Sequence, residues 1–270
     1  MAWLRRRWGR LAVLVLAASG VLWLAWSRRR MASVDFGPGL PETFLSGLSL
    51  PFDPPEELVY VFGWNDLAAA RLELTTRREG GDLLVEYTVR SLPIVQSLWT
   101  MEASGRTRID STGLRPLDSV FESRSGDRTT SYATSFDWSA GRATVVKRKV
   151  RKGRTREKTR AIGVGLDAAC AFLALRAAGP GRSVRVVQGE DAYQVTVVDE
   201  GRRPMETSAG TVEALQLAVG VRKLEEAAGA ADFSSARVWL HPETRVPLRL
   251  EAQAAIGSFY AQWAEAPATE

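Results

Sequence analysis

The alternation of apolar and polar residues over most of the chain predicts a mainly β protein. Residues 58–64 (LVYVFGW) and 70–75 (ARLELT) form the first pair of predicted strands, and the second alternates as a half-buried strand does. Further strands are predicted at 83–89, 99–109, 117–123, 130–138, 143–150, 183–188, 193–199, 210–219, 236–240, 248–256 and 257–263. Glycine-containing turns separate many of them, which favours one strongly curved antiparallel sheet or a barrel.

One segment breaks the alternation and predicts a helix. Residues 166–178 (LDAACAFLALRAA) are rich in alanine and leucine, Asp167 stands at the N-cap position, and Gly179-Pro180 ends the segment. Apolar residues cover almost every side of this helix, so it must be buried on several sides. We therefore place one short helix across the concave face of the curved sheet.

The first thirty residues have the layout of an export signal. An apolar run of sixteen residues at 11–26 has RRRWGR before it and SRRR after it, a length slightly short of the roughly 20 residues that span a bilayer. We favour an uncleaved membrane helix, because three arginines directly behind a cleavage site at 25–27 would be unusual. A cleaved signal peptide and a buried core helix are the alternatives.

The arginine counts on the two sides of the run narrowly favour an N-terminus inside the cytoplasm. The predicted location is therefore the inner membrane, crossed once, with the domain in the periplasm. After signal cleavage the domain would instead be soluble in the periplasm. Residues 1–30 form the signal-anchor or signal peptide, 31–55 a Pro/Gly-rich linker, and 56–265 an antiparallel β-barrel-like domain.

The net charge of +5 is distributed unevenly along the chain. The first thirty residues carry seven arginines and no acid, residues 142–160 carry ten Lys/Arg and one Glu, and the remainder has a net charge of −11. Export removes nucleic acid as a partner, and the second basic segment contains no aromatic residue. We expect the membrane as a partner of the N-terminal segment and no nucleic-acid partner.

The second basic segment predicts a long β-hairpin with Gly153 at its centre and charges on both faces near its tip. Such a hairpin cannot be packed in a core, so we expect it to project. A solvated edge whose lysines block aggregation is the plainer interpretation, and contact with anionic lipid headgroups or another acidic envelope component is the functional one. The candidates for that contact are Lys147, Arg148, Lys149, Arg151, Lys152, Arg154 and Arg156.

Composition excludes several kinds of chemistry. One cysteine and one histidine cannot build a disulfide scaffold or a zinc site, and we expect no metal and no cofactor. Cys170 lies within the predicted helix as a small buried hydrophobe, too far from the apolar run to be a lipidation site. His241 fits an ordinary turn, and no arrangement of acids, bases and nucleophiles predicts catalysis, so we expect a non-enzyme.

Large apolar side chains of the strands and the helix are candidates for the concave face. Such residues are most often core, but a curved sheet that one short helix does not fill could keep a cavity of lipid-tail size. The candidates for lining it are Tyr60, Phe62, Trp64, Leu72, Leu74, Trp99, Phe121, Phe172, Leu175, Trp239 and Tyr260.

Several of these segments together resemble the bacterial domain-of-unknown-function family 3108 (DUF3108), whose members are envelope proteins. The matching segments are 58–64, the Asp-led helix at 166–176, TSAGTVEA at 207–214, VWL at 238–240, RVPLRL at 245–250, and Gly257-Ser258 with Tyr260. The resemblance covers residues 56–264. It implies a fold related to the periplasmic lipoprotein carriers, a curved antiparallel sheet with helices in its hollow, and it implies no catalytic residue.

The leading hypothesis is a membrane-anchored periplasmic domain that binds a hydrophobic or amphiphilic envelope molecule, such as a lipid or lipoprotein, without enzymatic activity. The alternative is an assembly or scaffold protein that contacts a partner through its sheet edges and the basic hairpin. An enzyme is a third possibility, and it would need a polar cleft with converging acids. The sequence leaves the oligomeric state open.

Overall fold

A computed structural model describes residues 49–65, 67–96, 100–178, 180–207, 210–224, 234–254 and 257–264. The first eight strands are β1 (Glu56–Trp64), β2 (Leu67–Glu79), β3 (Asp82–Ser91), β4 (Glu102–Asp110), β5 (Arg115–Ser125), β6 (Arg128–Asp137), β7 (Arg142–Arg151) and β8 (Arg154–Gly163). The next six are β9 (Arg182–Gln188), β10 (Asp191–Thr207), β11 (Gly210–Lys223), β12 (Ser234–Leu240), β13 (Pro247–Ala254) and β14 (Gly257–Ala264). The helices are α1 (Pro93–Gln96) and α2 (Ala168–Ala178).

All fourteen strands form one antiparallel sheet, as the alternating pattern predicts. Its order is β8-β7-β6-β5-β4-β3-β2-β1-β14-β13-β12-β11-β10-β9, so β1 pairs with β14 and the chain-central strands β8 and β9 stand at the two edges. The expectation of a single helix is corrected, because four residues after β3 form the short helix α1.

The predicted N-terminal membrane helix lies outside the described residues. Among the residues that are described, no helix is long and apolar enough to cross a membrane.

The main core lies between the inner face of the sheet and α2. On β2 the inward residues Leu72, Leu74 and Thr76 are buried, whereas the outward Arg71 and Glu73 are exposed and ion-paired at 3.0 Å. This alternation is what a strand with one face on a core requires. Seven of the eleven residues of α2 are buried, which confirms that this helix packs within the sheet.

The two ends of the sheet overlap where they meet. In β9, Val186 packs into the main core, whereas Val187 packs against Ala143, Val145 and Ile162 in a second cluster. Because neighbouring residues of a strand point to opposite faces, the inner face of β7 and β8 covers the outer face of β9. The sheet is therefore rolled, and we call this overlap the seam.

The segment between β8 and α2 completes the seam. Leu166 N donates a hydrogen bond to Arg185 O (2.9 Å), and Leu166 O accepts one from Val187 N (2.7 Å). The edge of β9 is thus bonded by Leu166 rather than by a β8 ladder. Closing the roll in this way satisfies backbone groups that an open edge would leave unpaired.

A buried guanidinium ties α2 to the first strand. Arg176 has a fully buried side chain, and it donates to both carboxylate oxygens of Glu56, at 2.5 and 2.8 Å. It also donates to the carbonyl oxygens of Thr244 and Arg245, each at 3.2 Å, in the β12–β13 turn. The Phe52 ring, from the linker, stacks 4.3 Å from the guanidinium carbon. Four segments that are distant in sequence therefore meet at one side chain.

Glu56→Gln should destabilise the domain strongly, because it leaves the buried Arg176 cation without its counter-charge. We expect a loss of about 3 kcal/mol in the free energy of unfolding, measured by urea denaturation of the purified chain. Glu57→Gln is the matched control: Glu57 is the next residue of β1 and is exposed, so its substitution should change stability by less than about 0.5 kcal/mol. Equal effects of the two variants would contradict this role for Arg176.

Candidate functional site

Seven cationic side chains share the inner face of β7 and β8. The β7–β8 ladder pairs Arg142 with Gly163 at one end and Arg151 with Arg154 at the other, and Lys152-Gly153 form a two-residue turn with φ values of 49° and 73°. Every second residue therefore points to the same side as the buried Val145. These cations, which we call the cationic face, are Lys147, Lys149, Arg151, Arg154, Arg156, Lys158 and Arg160.

The expectation of charges on both faces near the tip is corrected in part by this register, because most of the cations share the inner face. The outer face carries Arg148 opposite Glu157, which is one complementary pair, and then Val150 opposite Thr155. The expected projection is corrected in part as well, because β7 pairs with β6 along its whole length. Residues 154–159 of the edge strand β8 are nevertheless exposed.

Three consecutive cross-strand pairs on the cationic face place cation opposite cation. Lys147 is opposite Lys158, Lys149 is opposite Arg156, and Arg151 is opposite Arg154. Directly opposed like charges destabilise a sheet, by the same few tenths of a kcal/mol per pair that opposite charges contribute. The three like-charged pairs therefore lower the stability of the fold. Charges placed only for solubility would not need to oppose each other in this way.

One carboxylate from the opposite end of the sheet meets the cationic face. Glu190, in the β9–β10 turn, forms ion pairs with Lys147 and, at 3.1 Å, with Lys158. Arg160 Nη1 also donates to the backbone oxygen of Glu190, at 3.3 Å. The hydrogen bond from Lys147 and the ion pair with Lys158 lower the pKa of the Glu190 carboxyl, so this carboxylate stays ionised.

The lysine partner responds in the complementary direction. Burial opposes charge on Lys147, but the hydrogen bond to Glu190 and the neighbouring Tyr132 outweigh it and raise the pKa of the ammonium. The Lys147 side chain is only 18% exposed, so this contact belongs to the seam rather than to the free surface.

The tip of the hairpin extends beyond this contact. From Lys147 to Arg151 the strand rises about 13 Å at about 3.3 Å per residue. Within the described part of the chain, no ion pair joins Arg151, Arg154 or Arg156 to an acid. The tip therefore carries cations that no acid of the described residues neutralises.

Aromatic side chains connect the cationic face to the main core. The rings of Phe121 and Tyr132 are 6.3 Å apart and tilted by 30°, and Lys147 Nζ lies 5.3 Å from the centre of the Tyr132 ring. Phe121 packs against the main core, and Tyr132 packs against the second cluster at the seam. The inner surface thus changes from apolar to aromatic to cationic over neighbouring strands.

Most of the predicted cavity residues lie in the main core or against it. Tyr60, Leu72, Leu74 and Phe172 are buried in the main core, and Phe62, Phe121 and Leu175 pack half-buried against it. Trp64 is half-buried at the end of β1, outside that cluster. Trp99 lies outside the described residues.

Trp239 and Tyr260 lie on the outer face of the sheet, so they do not line the concave face. Their neighbours Val238 and Phe259 pack in the main core, which turns these two aromatic residues outward. Trp239 Nε1 donates to Gln216 Oε1 at 3.2 Å. The Tyr260 ring covers Gly63, where a Cβ atom would come within 2.1 Å of the ring.

The concave face also holds two buried hydroxyl groups. Tyr60 Oη and Thr76 Oγ1 have no hydrogen-bond partner among the described residues. Burial raises the pKa of the Tyr60 phenol, so this group is a neutral donor. A buried hydroxyl without a partner costs about 1–3 kcal/mol, which a polar group of a ligand would recover.

The remaining reactive residues have structural roles. Cys170 is fully buried, and burial together with the nearby Asp167 raises the pKa of its thiol well above the usual range. His241 Nδ1 accepts hydrogen bonds from the backbone N–H groups of Glu243 and Thr244, both at 3.3 Å. Within the described residues, no group of three His, Cys, Asp or Glu side chains could hold a metal ion.

Asp167 caps α2 as the sequence predicts. Its Oδ1 accepts from Cys170 N at 2.9 Å, and its Oδ2 accepts from the Thr107 hydroxyl. The side chain is buried, and this burial raises the pKa of the carboxyl despite both hydrogen bonds. The capping carboxylate thus stabilises the helix through geometry while its charge opposes burial.

Asp167→Asn should gain stability relative to the parent as pH rises from about 4 to 7. A carboxyl whose pKa is higher in the folded state binds more protons there, so stability falls as pH rises above the unfolded value of 3.8. Asparagine keeps the helix cap but does not titrate, so it removes this dependence of stability on pH. Urea unfolding at several pH values measures the difference, and a constant difference would contradict the prediction.

Asp137 supplies the control with the opposite sign. Hydrogen bonds from Ser139 and Ala140 lower the pKa of its exposed carboxyl below the usual value of 3.8. The parent therefore gains stability as pH rises toward 3.8. Asp137→Asn should therefore lose stability relative to the parent as pH rises toward about 4, below the interval in which Asp167→Asn gains, and the difference should then stay constant up to pH 7.

Sequence reasoning found most of the cationic face and missed its partner. Of the seven candidates, five lie on the face, Lys152 lies in the turn, and Arg148 lies outside. Lys158 and Arg160 were missed, although the alternation of cations in RTREKTR carried the signal. Glu190 had no such signal, because its contact with Lys147 spans 43 residues.

The rolled antiparallel sheet defines a β-barrel-like fold. The fold is similar to that of a β-barrel-like protein of domain of unknown function DUF1849 from Brucella abortus, with a TM-score of 0.54 at 9% identity, over 78% of this chain and 96% of that one. The chain belongs to the DUF3108 family, described as proteins of unknown function, whose model matches residues 58–262. This confirms the resemblance found in the sequence.

Two further solved structures are similar at lower scores. One is a candidate exported protein with a YmcC-like fold from Bacteroides fragilis, with a TM-score of 0.33 at 10% identity, over 80% of this chain and 98% of that one. The other is a candidate lipoprotein from Parabacteroides distasonis, with a TM-score of 0.33 at 9% identity, over 81% and 98%. A comparison with curated proteins finds no match.

Proposed function

We propose that this domain binds an amphiphilic envelope molecule in the periplasm without transforming it. The observation that carries the proposal is the run of three like-charged cross-strand pairs beside the aromatic side chains of the seam. Such pairs destabilise the free protein, and an anionic group placed between them would reverse the sign of the interaction. The aromatic surface next to them suits the apolar part of the same molecule.

Half-buried apolar residues around the main core extend this surface. Phe62, Tyr193 and Trp263 pack against the core while remaining partly exposed on the inner face. The exposed hydrophobic residues Leu67, Ile94 and Leu224 lie at the same end of the sheet as the tip of the β7–β8 hairpin. Apolar side chains together with the cations Arg151 and Arg154 at one end favour a molecule that has both an apolar and an anionic part.

The periplasmic location rests on the predicted export signal at residues 1–30. The absence of a catalytic step in the proposal rests on the placement of the two most reactive side chains. Cys170 is buried with a raised pKa, and His241 Nδ1 is engaged in its own turn.

A scaffold that holds a partner protein is the second candidate function. It is favoured by the exposed edge of β8, where residues 154–159 have no neighbouring strand on one side among the strands that the structure describes. An edge of this kind can pair with a strand of another protein, although its cations discourage pairing with a second copy of itself.

Phe121→Leu should reduce the amphiphile retained by the protein several-fold, because it removes one ring of the aromatic pair while keeping an apolar side chain in the core. Mass spectrometry of lipids retained after mild purification of the full chain measures this. Val120→Ser is the matched control, since Val120 is the adjacent residue of β5 on the outer face and is 44% exposed. Absence of any retained lipid from the parent would contradict the proposed function and leave the scaffold as the better candidate.

A further inference from the structure

We propose that the cationic face is a binding site for a phosphate-bearing headgroup and that Glu190 is an internal occupant which the phosphate replaces. This inference rests on the proposed function and names the headgroup chemistry of its ligand. Glu190 and the headgroup would compete for the same two ammonium groups, those of Lys147 and Lys158.

The spacing of the cations suits phosphate groups. Opposed residues of an antiparallel pair have Cβ atoms about 5 Å apart, and successive inward pairs follow each other at about 7 Å along the strands. Two cations that face each other across the ladder can therefore contact oxygens of one phosphate. The outermost pair, Arg151 with Arg154, presents two guanidinium forks, which match the geometry of phosphate oxygens better than ammonium groups do.

Glu190 occupies the innermost of the three pairs in the way a ligand would. Its carboxylate lies between Lys147 and Lys158, which face each other across the ladder, and it reaches them from the other edge of the sheet. The phosphodiester of an anionic lipid matches this carboxylate in charge and in its two free acceptor oxygens, so it can bind the same two ammonium groups. It can therefore displace Glu190, particularly when the outer pairs hold a second anionic group.

Release of Glu190 would uncover the aromatic surface. The Tyr132 ring lies beneath Lys147 and against the β9–β10 turn, where a Cβ on Gly189 would come within 2.9 Å of the ring. When the turn moves away, Tyr132 and the adjoining Phe121 become accessible to the apolar part of the ligand. The hydrogen bonds of Leu166 and the packing of Val187 keep the rest of the seam closed.

The test uses the full chain in neutral detergent micelles, titrated with short-chain phosphatidylglycerol, short-chain phosphatidylcholine or inorganic phosphate and followed by calorimetry. We expect phosphatidylglycerol to bind more tightly than the other two. Each cation near an anionic lipid contributes about 1 kcal/mol, so Arg151→Ser/Arg154→Ser should weaken phosphatidylglycerol binding by roughly 20-fold or more. Arg148→Ser, a cation of the outer face, is the matched control and should leave the affinity unchanged.

Glu190→Gln tests the displacement itself. Removal of the internal carboxylate should strengthen phosphatidylglycerol binding by about fivefold, the effect of one freed cation. As a second measurement, amide hydrogen exchange in residues 188–191 of the parent should accelerate on addition of phosphatidylglycerol and stay unchanged with phosphatidylcholine. Weaker binding by Glu190→Gln together with unchanged exchange would overturn the displacement.

The outcomes separate this inference from the proposed function. Equal binding of both lipids, unaffected by the arginine variants, would overturn the headgroup site while leaving amphiphile binding intact. Binding of inorganic phosphate as tight as that of phosphatidylglycerol would overturn the lipid source of the phosphate. If neither lipid binds, both the headgroup site and the proposed function are contradicted.

Discussion

The buried guanidinium of Arg176 is the constraint on which the rest of this fold depends. It joins α2, the start of β1, the β12–β13 turn and the linker residue Phe52 at one point. A buried cation is tolerated only when its hydrogen bonds are all directed to acceptors, and here carboxylate and carbonyl oxygens provide them. These segments span most of the chain, so the roll of the sheet and the position of the helix are fixed together.

The position of α2 in turn determines how the sheet closes. With Arg176 fixed at one end of the helix, Asp167 meets Thr107 of β4 at the other end. Leu166, the residue before the cap, is then placed to bond the edge of β9. The helix therefore acts as a spacer between the centre of the sheet and its edge. The contact of Glu190 with the cationic face follows from that geometry.

The sequence predicts the local elements of this fold well and its long-range contacts poorly. Alternation located nearly every strand, and Asp167 was recognised as a cap, because both signals lie within a few residues of each other. The pairing of Glu56 with Arg176 joins residues 120 positions apart, and no local pattern indicates it. The outward orientation of Trp239 and Tyr260 was likewise missed, since an aromatic side chain suits either face of a strand until the register is known.

The cationic face shows why the seam differs from the rest of the sheet. Elsewhere the inner face is largely apolar and its burial stabilises the roll, whereas here opposed cations repel each other and Glu190 offsets the innermost of the three pairs. Local opening requires the least free energy where few apolar contacts are lost. The corner of the seam at Glu190 meets that condition, while the Leu166 bonds and the Val187 cluster hold the adjacent edge. A ligand that supplies negative charge there can open the sheet locally at the β9–β10 turn without unfolding the core.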